Sequence, residues 1–381
     1  MNEGNKRWLR AVGTMIGAII GIGVFGLPYA FAQAGFFVGL IELIVIGGLL
    51  VLLQQLYAEV TIQTPGHRRT VGLALKYLGP KWSRIAALAF FAMMWGAMIA
   101  YIIIAGEFLS TLLGPTIGGS PFIYSIGFFI IEAIFLLWGL KKISGVETYV
   151  VMILLLLFGA VILLGLPHVE AINLIEMNIS KIFVPYGVIL FALGGMSIVP
   201  EMHDILKEKY EHKLRSAIFV AMGLIALLYV AFAGVVVGVT GAATTDEAIA
   251  GLGQALGPTV AAIGSLAGIV TLVSIFVVVG LQIKDSLIFD FKQKPMLAWL
   301  LTVSVPIILF LLGVREFIVV ISFTGAVFGA VTAVVILRIF EKMRHTICTR
   351  RKCFLVPTWV SVLLGAVFVL GALVEIVYLF L

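Results

Sequence analysis

Long apolar runs dominate this 381-residue sequence and limit most strongly the folds that it can adopt. Each run is about 20 residues long, the length that an α-helix needs to cross a hydrocarbon layer about 30 Å thick. A helix tolerates that environment because its backbone groups are hydrogen-bonded internally. The chain is 62% hydrophobic and 12% charged, whereas soluble domains have roughly 45–50% apolar and 25% charged residues. We therefore expect an all-α, polytopic membrane protein.

Eleven such runs predict 11 transmembrane helices in a single domain that covers residues 1–381. The predicted spans are residues 11–31, 36–62, 85–113, 122–140, 148–166, 183–200, 216–239, 259–289, 296–312, 317–339 and 357–381.

The basic residues predict how these helices are oriented. With the N-terminus in the cytoplasm, Lys181 and Arg315 are the two exceptions among 25 Lys and Arg residues that otherwise fall on the cytoplasmic side. Because cytoplasmic loops are enriched in Lys and Arg, we expect a multi-pass cell-membrane protein with an extracytoplasmic C-terminus. Contact of these loops with anionic membrane lipids explains the net charge of +6 without a nucleic-acid partner. The residues assigned to the cytoplasm are Lys6, Arg7, Arg10, Arg68, Arg69, Lys76, Lys81, Arg84, Lys141, Lys142, Lys207, Lys209, Lys213, Arg215, Lys284, Lys292, Lys294, Arg338, Lys342, Arg344, Arg350, Arg351 and Lys352.

The first span contains Gly21, Gly23 and Gly26, followed by Pro28. The same G-x-G-x-x-G spacing occurs in dinucleotide-binding loops, but those loops lie between a strand and an amphipathic helix. Here the sequence is apolar on both sides, which argues against a nucleotide site. Closely spaced glycines before a proline weaken the helical hydrogen-bond ladder, so we expect this helix to be interrupted.

The sixth span has the same feature, because Gly195 and Pro200 are five residues apart, as are Gly23 and Pro28. The first and sixth spans cross the membrane in opposite directions. Two interrupted spans in matching positions are typical of transporters built from inverted repeats. We therefore predict a 5+5 inverted repeat with broken helices 1 and 6. Its halves are residues 11–166 and 183–339, and residues 357–381 form an additional helix.

An interrupted helix at membrane depth exposes backbone groups that can bind a ligand. The freed N–H groups and the positive end of the following half-helix attract a carboxylate, and freed carbonyl groups attract an ammonium or a small cation. Together they suit a zwitterion. Neither break has an acidic or basic residue beside it, which favours a neutral, apolar or small amino acid.

Three segments resemble the amino acid/auxin permease family of the amino acid-polyamine-organocation superfamily. IGAIIGIGVFGLPYAFAQAGFFVGL is similar to the first two spans of that family, ILFALGGMSIVPEM to its sixth span, and RRTVGLALKYLGPKW to its loop before the third. The resemblance implies a leucine-transporter-type fold and secondary transport of amino acids by alternating access.

The resemblance also implies which residues bind the substrate. The carboxylate would meet the N–H groups of Gly21, Ile22 and Gly23. The ammonium would meet carbonyl groups at the two breaks. The residues expected to contribute there are Ile20, Phe191, Ala192, Gly194 and Gly195. From the residues alone, Met94, Trp95, Met98 and Tyr101 are candidates for a pocket wall or for plain packing, and Phe25 for a thin gate or a core contact.

The sequence is compatible with two coupling ions, sodium and a proton. For sodium, the resemblance implies carbonyl ligands from Gly17 and Ile20 opposite Gly268, Thr271 and Ser274. For a proton, carboxylates inside the spans are candidates because they are costly to bury. Glu132 lies nearest a span centre, so it is the alternative proton site. Glu42, Glu107 and Glu375 lie closer to the outer interface.

We expect no enzyme, cofactor or metal site, because the five His residues fall in loops or at span ends. Cys348 and Cys353 lie in a basic cytoplasmic loop, so reduced thiols are expected there. The predicted function is an ion-coupled symporter of neutral amino acids, with a membrane receptor that senses amino acids as the alternative. The sequence specifies neither the amino acid nor an oligomeric state.

Overall fold

Every regular element in the part of the chain that the structure describes is a helix. The structure is a computed structural model that describes residues 2–64, 66, 69–138, 147–348, 353–354 and 356–380. Several positions of the sequence predictions lie outside the described residues: Leu140 and Leu381 at the ends of the fourth and eleventh predicted spans, and the basic residues Arg68, Lys141, Lys142, Arg350, Arg351 and Lys352.

The helices follow one another with short connections. In the first half they are α1 (Glu3–Ile19), α2 (Gly23–Ala34), α3 (Phe36–Gln63), α4 (Thr70–Leu78), α5 (Pro80–Ile117), α6 (Pro121–Trp138), α7 (Glu147–Gly165) and α8 (Ala171–Ile175). In the second half they are α9 (Val184–Ala192), α10 (Val199–Tyr210), α11 (Leu214–Thr240), α12 (Ile249–Leu256), α13 (Pro258–Phe289), α14 (Pro295–Leu311), α15 (Phe317–Phe323), a π-helical segment (Thr324–Phe328), α16 (Gly329–Thr346) and α17 (Thr358–Phe380).

The first predicted break is present. Helix α1 ends at Ile19, α2 begins at Gly23, and the two axes are bent by 61°. Gly21 lies in this turn and has no side chain to restrict the backbone. Pro28 then removes one N–H donor from α2.

The second predicted break is also present. Helix α9 ends at Ala192, and Gly194 and Gly195 are outside any helix. A single 3₁₀ turn, Met196–Ile198, follows before α10 begins. Pro200 lies in the first turn of α10, where its missing N–H costs no intrahelical bond.

The apolar helices make this a multi-pass membrane protein. Within the described residues, seven helical segments are long and apolar enough to cross a membrane, or eight when α1 and α2 are counted as one span. One of the seven extends over residues 184–243 and includes the second break, and Met152–His168 and Pro295–Leu311 are shorter apolar helices. The count of 11 spans and the inverted repeat remain predictions.

Helix packing brings the two breaks against each other. Helix α2 packs against α9, and α11 packs against both α1 and α2. Helix α15 and the π-helical segment pack against α9 from another side.

The prediction of reduced cysteines was wrong for this structure, which pairs Cys348 with Cys353 in a disulfide. The prediction was based on the reducing cytoplasm. However, α16 ends at Thr346 and a turn follows. The chain thereby brings the two Cα atoms to 5.6 Å from each other, a separation that a disulfide spans readily.

Candidate functional site

The two breaks are in direct contact. A Cβ atom built on Gly23 would lie 2.6 Å from the Ala192 Cα, and a Cβ on Gly195 would clash with the Ile19 side chain. Only a residue without a side chain allows such a close approach of one backbone to another. The structure therefore brings the predicted residues of the first break against those of the second.

Tyr229 of α11 joins the two breaks. Its hydroxyl group lies 3.1 Å from the carbonyl oxygen of Ile19 and 3.1 Å from that of Ala192. These carbonyls end the helices that precede the breaks, where the intrahelical acceptors have no partner. The Tyr229 side chain is fully buried. Tyr229 was not predicted from the sequence, where its signal is a single phenolic hydroxyl inside an otherwise apolar seventh span.

A cavity of about 630 Å³ leads to the second break. Its inner end is lined by Leu190, Gly194 and Met196, and α5 contributes Met93 and Met94. A volume of this size is ordinary for a site that binds a small molecule. The predicted residue Gly194 therefore lies on the wall of a cavity.

The mouth of this cavity is polar. Arg69 and Glu201 form an ion pair there, with 3.3 Å between the guanidinium and carboxylate groups. Asp285 and Asp290 at the end of α13 also line it. The charged groups lie at the mouth, and the end beside the break is lined by apolar side chains, backbone and the polar residue Ser197.

Three of the four α5 candidates from the sequence are packing residues. Met94 lines the cavity, whereas Met98 and Tyr101 are buried in the core. Trp95 stacks on Phe91 at a centroid distance of 5.5 Å. Met93 was missed because its position next to Met94 gave no separate signal.

Phe25 lies in an aromatic cluster beyond the first break. Its ring centroid is 4.9 Å from that of Phe108, 5.3 Å from that of Phe158 and 6.0 Å from that of Phe232. All four rings are almost completely buried. Because they come from α2, α5, α7 and α11, they hold four helices together on this side of the break.

The eighth-span residues of the predicted sodium site are on α13. The buried Thr271 hydroxyl donates to the carbonyl oxygen of Ala267 at 2.8 Å, one turn earlier in the same helix. Gly268 is in contact with the ring of Phe108. Ser274 is half-buried, as is Gly17 on α1. Thr271 therefore has a structural partner, a common arrangement for hydroxyl residues in membrane helices.

Glu132 of α6 is 1% exposed, and neither carboxyl oxygen has a hydrogen-bond partner within the described residues. It lies between Phe128 and Leu136 on one buried face. Phe128 packs edge-on against Phe276 of α13, and Leu136 covers Gly280. Glu132 thus belongs to a face that packs apolar side chains against α13.

The π-helical segment lies beside the second break. A Cβ atom on Gly325 would lie 2.5 Å from the backbone nitrogen of Phe191 and would clash with the carbonyl oxygen of Gly187. Departures from α-helical hydrogen bonding of this kind occur frequently at functional sites. Among the described residues, no group of three His, Cys, Asp or Glu side chains is arranged to hold a metal ion.

Known proteins resemble this chain over its whole length or parts of it. The sequence profile of the Tryptophan/tyrosine permease family matches residues 5–378. The chain is 26% identical over 233 residues to Tyrosine-specific transport system 1 of Haemophilus influenzae, which covers 60% of this chain and 56% of that protein. It is 31% identical over 110 residues to Amino acid transporter ANT1 of Arabidopsis thaliana, covering 27% and 26%. The matched regions thus span less than two thirds of each relative.

Two solved structures have a similar fold. The crystal structure of MhsT in complex with L-phenylalanine has a TM-score of 0.65 at 15% identity, covering 96% of this chain and 97% of that one. The crystal structure of a mutant of the Eremococcus coleocola manganese transporter has a TM-score of 0.67 at 14% identity, covering 99% and 88%. These similarities support the leucine-transporter-type fold. The narrower amino acid/auxin permease assignment is not confirmed.

Proposed function

Since this chain belongs to the tryptophan/tyrosine permease family, a family of permeases and not of enzymes, we propose that it is an ion-coupled secondary transporter of neutral amino acids. It works by alternating access. The observation that carries this proposal is the contact of Gly23 with Ala192, two residues before Gly194, which lines a cavity of about 630 Å³. Two interrupted helices that meet beside a cavity are the arrangement that such transporters use to bind substrate.

The substrate binds to backbone groups at the breaks. Its carboxylate meets the N–H groups of Gly21, Ile22 and Gly23, at the positive end of α2. Its ammonium meets carbonyl oxygens near Ile20 and around the second break. The residues proposed there are Phe191, Ala192, Gly194 and Gly195. The Tyr229 hydroxyl supports this by holding the last carbonyl groups of α1 and α9.

We further propose that the preferred substrates carry aromatic side chains. The family description and the name of the Haemophilus relative support this. The cavity also supports it, because Phe90, Met93 and Met94 line the wall next to the break. Methionine sulfur atoms make favourable contacts with aromatic rings, and methionine adapts to ligands of different shape.

We also propose that the cavity opens to the cytoplasm in this conformation. The cavity opens beside Arg69 and Asp290, at the end of the molecule with the basic loops. The Phe25 cluster closes the opposite side of the break. This proposal places the N-terminus in the cytoplasm and the C-terminus outside, in agreement with the distribution of Lys and Arg.

The coupling ion is sodium or a proton. A sodium ion would bind carbonyl groups of Gly17 and Ile20 opposite Gly268, Thr271 and Ser274. The hydrogen bond of Thr271 to Ala267 uses the hydroxyl proton and leaves the oxygen lone pairs able to bind a cation, so it does not decide between the two ions. Buried carboxyl groups such as that of Glu132 support a proton.

Uptake by purified protein in proteoliposomes tests this function. With L-tyrosine as the probe, we expect accumulation when a proton or sodium gradient is imposed, and none in protein-free vesicles. The gradient that drives uptake identifies the ion. Binding of L-tyrosine without flux under either gradient would contradict transport and would support a sensing receptor. Failure to bind or transport L-tyrosine, L-tryptophan or L-phenylalanine would contradict the aromatic substrate class.

A further inference from the structure

A second cavity, of about 190 Å³, lies at the other end of α9. Val184, the first residue of α9, lines it, whereas Leu190 near the far end of that helix and Gly194 just beyond it line the first cavity. The remaining wall has an apolar part, formed by Ile318, Val319 and Leu379, and a polar part. The polar part includes Tyr29, Lys181, Asp246, Glu316, Ser322 and Glu375. We call it the outer cavity, because Lys181 and the C-terminal end of α17 are on the extracytoplasmic side in the proposed orientation.

Glu375 is the buried carboxyl group of this cavity. Its residue is 2% exposed, and its Oε2 atom has no hydrogen-bond partner within the described residues. The Ser322 hydroxyl of α15 is within hydrogen-bonding reach of the same carboxyl group. A volume of about 190 Å³ has room for several water molecules, since each takes about 30 Å³ in the liquid. Water can therefore reach a carboxyl group that protein partners leave incompletely satisfied.

Other titratable groups surround Glu375. Glu42 of α3 and Tyr186 of α9 are near enough to sense its charge. Tyr378 of α17 lines the outer cavity, as do Tyr29 and Lys181. Lys181 is partnered by a hydrogen bond to the Gln33 side chain.

The mouth of the outer cavity is acidic. Asp246 and Glu316 line it, and both are exposed. Partial burial, and then the neighbouring Glu247 and Glu316 carboxylates, raise the pKa of Asp246. Acidic groups in this position attract cations, including hydronium, from the outer solution.

Ser322 connects Glu375 to the substrate site. A Cβ atom built on Gly187 of α9 would lie 2.7 Å from the Ser322 Cα, so these two backbones are in contact. Three residues later, Gly325 contacts the backbone of Phe191 at the end of α9. A change in the interaction between Glu375 and Ser322 thus acts on a helix that packs along α9 up to the second break.

We propose that Glu375 binds the coupling proton, which it receives from water in the outer cavity. The inference rests on the proposed transport function and identifies its ion. In this step the Glu375 carboxylate accepts a proton from hydronium and becomes a neutral carboxylic acid, and water is the other product. Glu375 fits this role better than Glu132, which lines neither of these cavities.

The experiment compares net uptake with exchange of L-tyrosine in proteoliposomes. With one proton per substrate, a gradient of one pH unit drives accumulation of up to about tenfold. We expect this of the wild-type protein and of Glu375→Asp, and an accumulation ratio close to one for Glu375→Gln. Exchange of labelled for unlabelled L-tyrosine needs no net proton movement, so Glu375→Gln should retain it.

Two control variants make the result specific. Glu107→Gln removes an exposed carboxyl group from the outer part of α5 and should behave as the wild type does. Ser322→Ala leaves the carboxyl group in place and should shift the pH at which uptake is half-maximal. If Glu375→Gln does not fold, an unchanged pH profile for Ser322→Ala and Glu375→Asp would overturn the proposal.

The outcomes separate this proposal from the function on which it rests. Accumulation by Glu375→Gln equal to that of the wild type, or uptake by the wild type that only sodium drives, would overturn the role of Glu375 and leave transport intact. Absence of both uptake and exchange in the wild type would contradict the proposed function itself. Loss of accumulation in Glu132→Gln with normal accumulation in Glu375→Gln would assign the proton to Glu132.

Discussion

Gly23 lies so close to Ala192 that a Cβ atom added to Gly23 would be 2.6 Å from the Ala192 Cα. The two residues are 169 positions apart in the sequence, and each lies at the edge of an interrupted helix. The contact therefore fixes the distance between the two sets of backbone groups that are proposed to bind the substrate.

Gly23→Ala should impair this site. The added methyl group has to displace the backbone of α9, and overpacking of this kind costs about 1–3 kcal/mol. We expect weaker binding of L-tyrosine, measured by its effect on the melting temperature of the purified protein. Gly13→Ala is the matched control, because a Cβ on Gly13 of α1 meets nothing within 4 Å. Equal binding by the two variants would mean that the close approach is unimportant.

Tyr229→Phe should destabilise both breaks. The substitution keeps the ring and removes the donor that lies 3.1 Å from each of the Ile19 and Ala192 carbonyl oxygens. Leaving buried acceptors without a donor costs about 1–3 kcal/mol. We expect a lower melting temperature and slower uptake of L-tyrosine. Unchanged values for both would show that these carbonyl groups find other partners.

Gly325→Ala should destabilise the contact of the π-helical segment with α9. A methyl group at this position would lie 2.5 Å from the Phe191 backbone nitrogen, and neither backbone can move without disturbing the break. We expect a clear decrease in melting temperature. Gly329→Ala serves as the control, because a Cβ there has no neighbour within 4 Å. A decrease of the same size in the control would indicate a general effect of alanine in this region.

Cysteine labelling tests which side of the break is open. Met94 lines the large cavity, and Phe25 is fully buried. In a background with Cys348 and Cys353 replaced by serine, a membrane-impermeant maleimide should label Met94→Cys in inside-out vesicles and leave Phe25→Cys unlabelled. L-Tyrosine should slow the labelling. Reaction of Met94→Cys from the outer side alone would reverse the proposed orientation.

The two breaks were predictable from the sequence because glycine and proline weaken the helix that contains them, whatever the neighbouring helices are. Gly23 with Pro28, and Gly195 with Pro200, weaken the helix wherever the chain places them. The hydrogen bonds of Tyr229 were not predictable in the same way, since they depend on where α11 packs against α1 and α9. The disulfide between Cys348 and Cys353 was not predicted, because the prediction rested on the reducing conditions of the cytoplasm. It did not take into account the turn that follows α16.

The surroundings of side chains in the third span were also not predictable from the sequence. Met94 and Met98 are one helical turn apart and look equivalent in the sequence. Met94 lines the cavity and Met98 is completely buried. The difference arises from the neighbouring helices, which the spacing of residues within one helix does not determine.

The most direct test of the central claim is the binding of L-tyrosine and two of its analogues to the purified wild-type protein. Tyramine lacks the carboxylate group, and 3-(4-hydroxyphenyl)propanoic acid lacks the ammonium group. If backbone N–H and carbonyl groups at the two breaks hold both charged groups, each analogue should bind at least about tenfold more weakly, which corresponds to about 1.4 kcal/mol. Binding of either analogue as tightly as L-tyrosine would contradict the account.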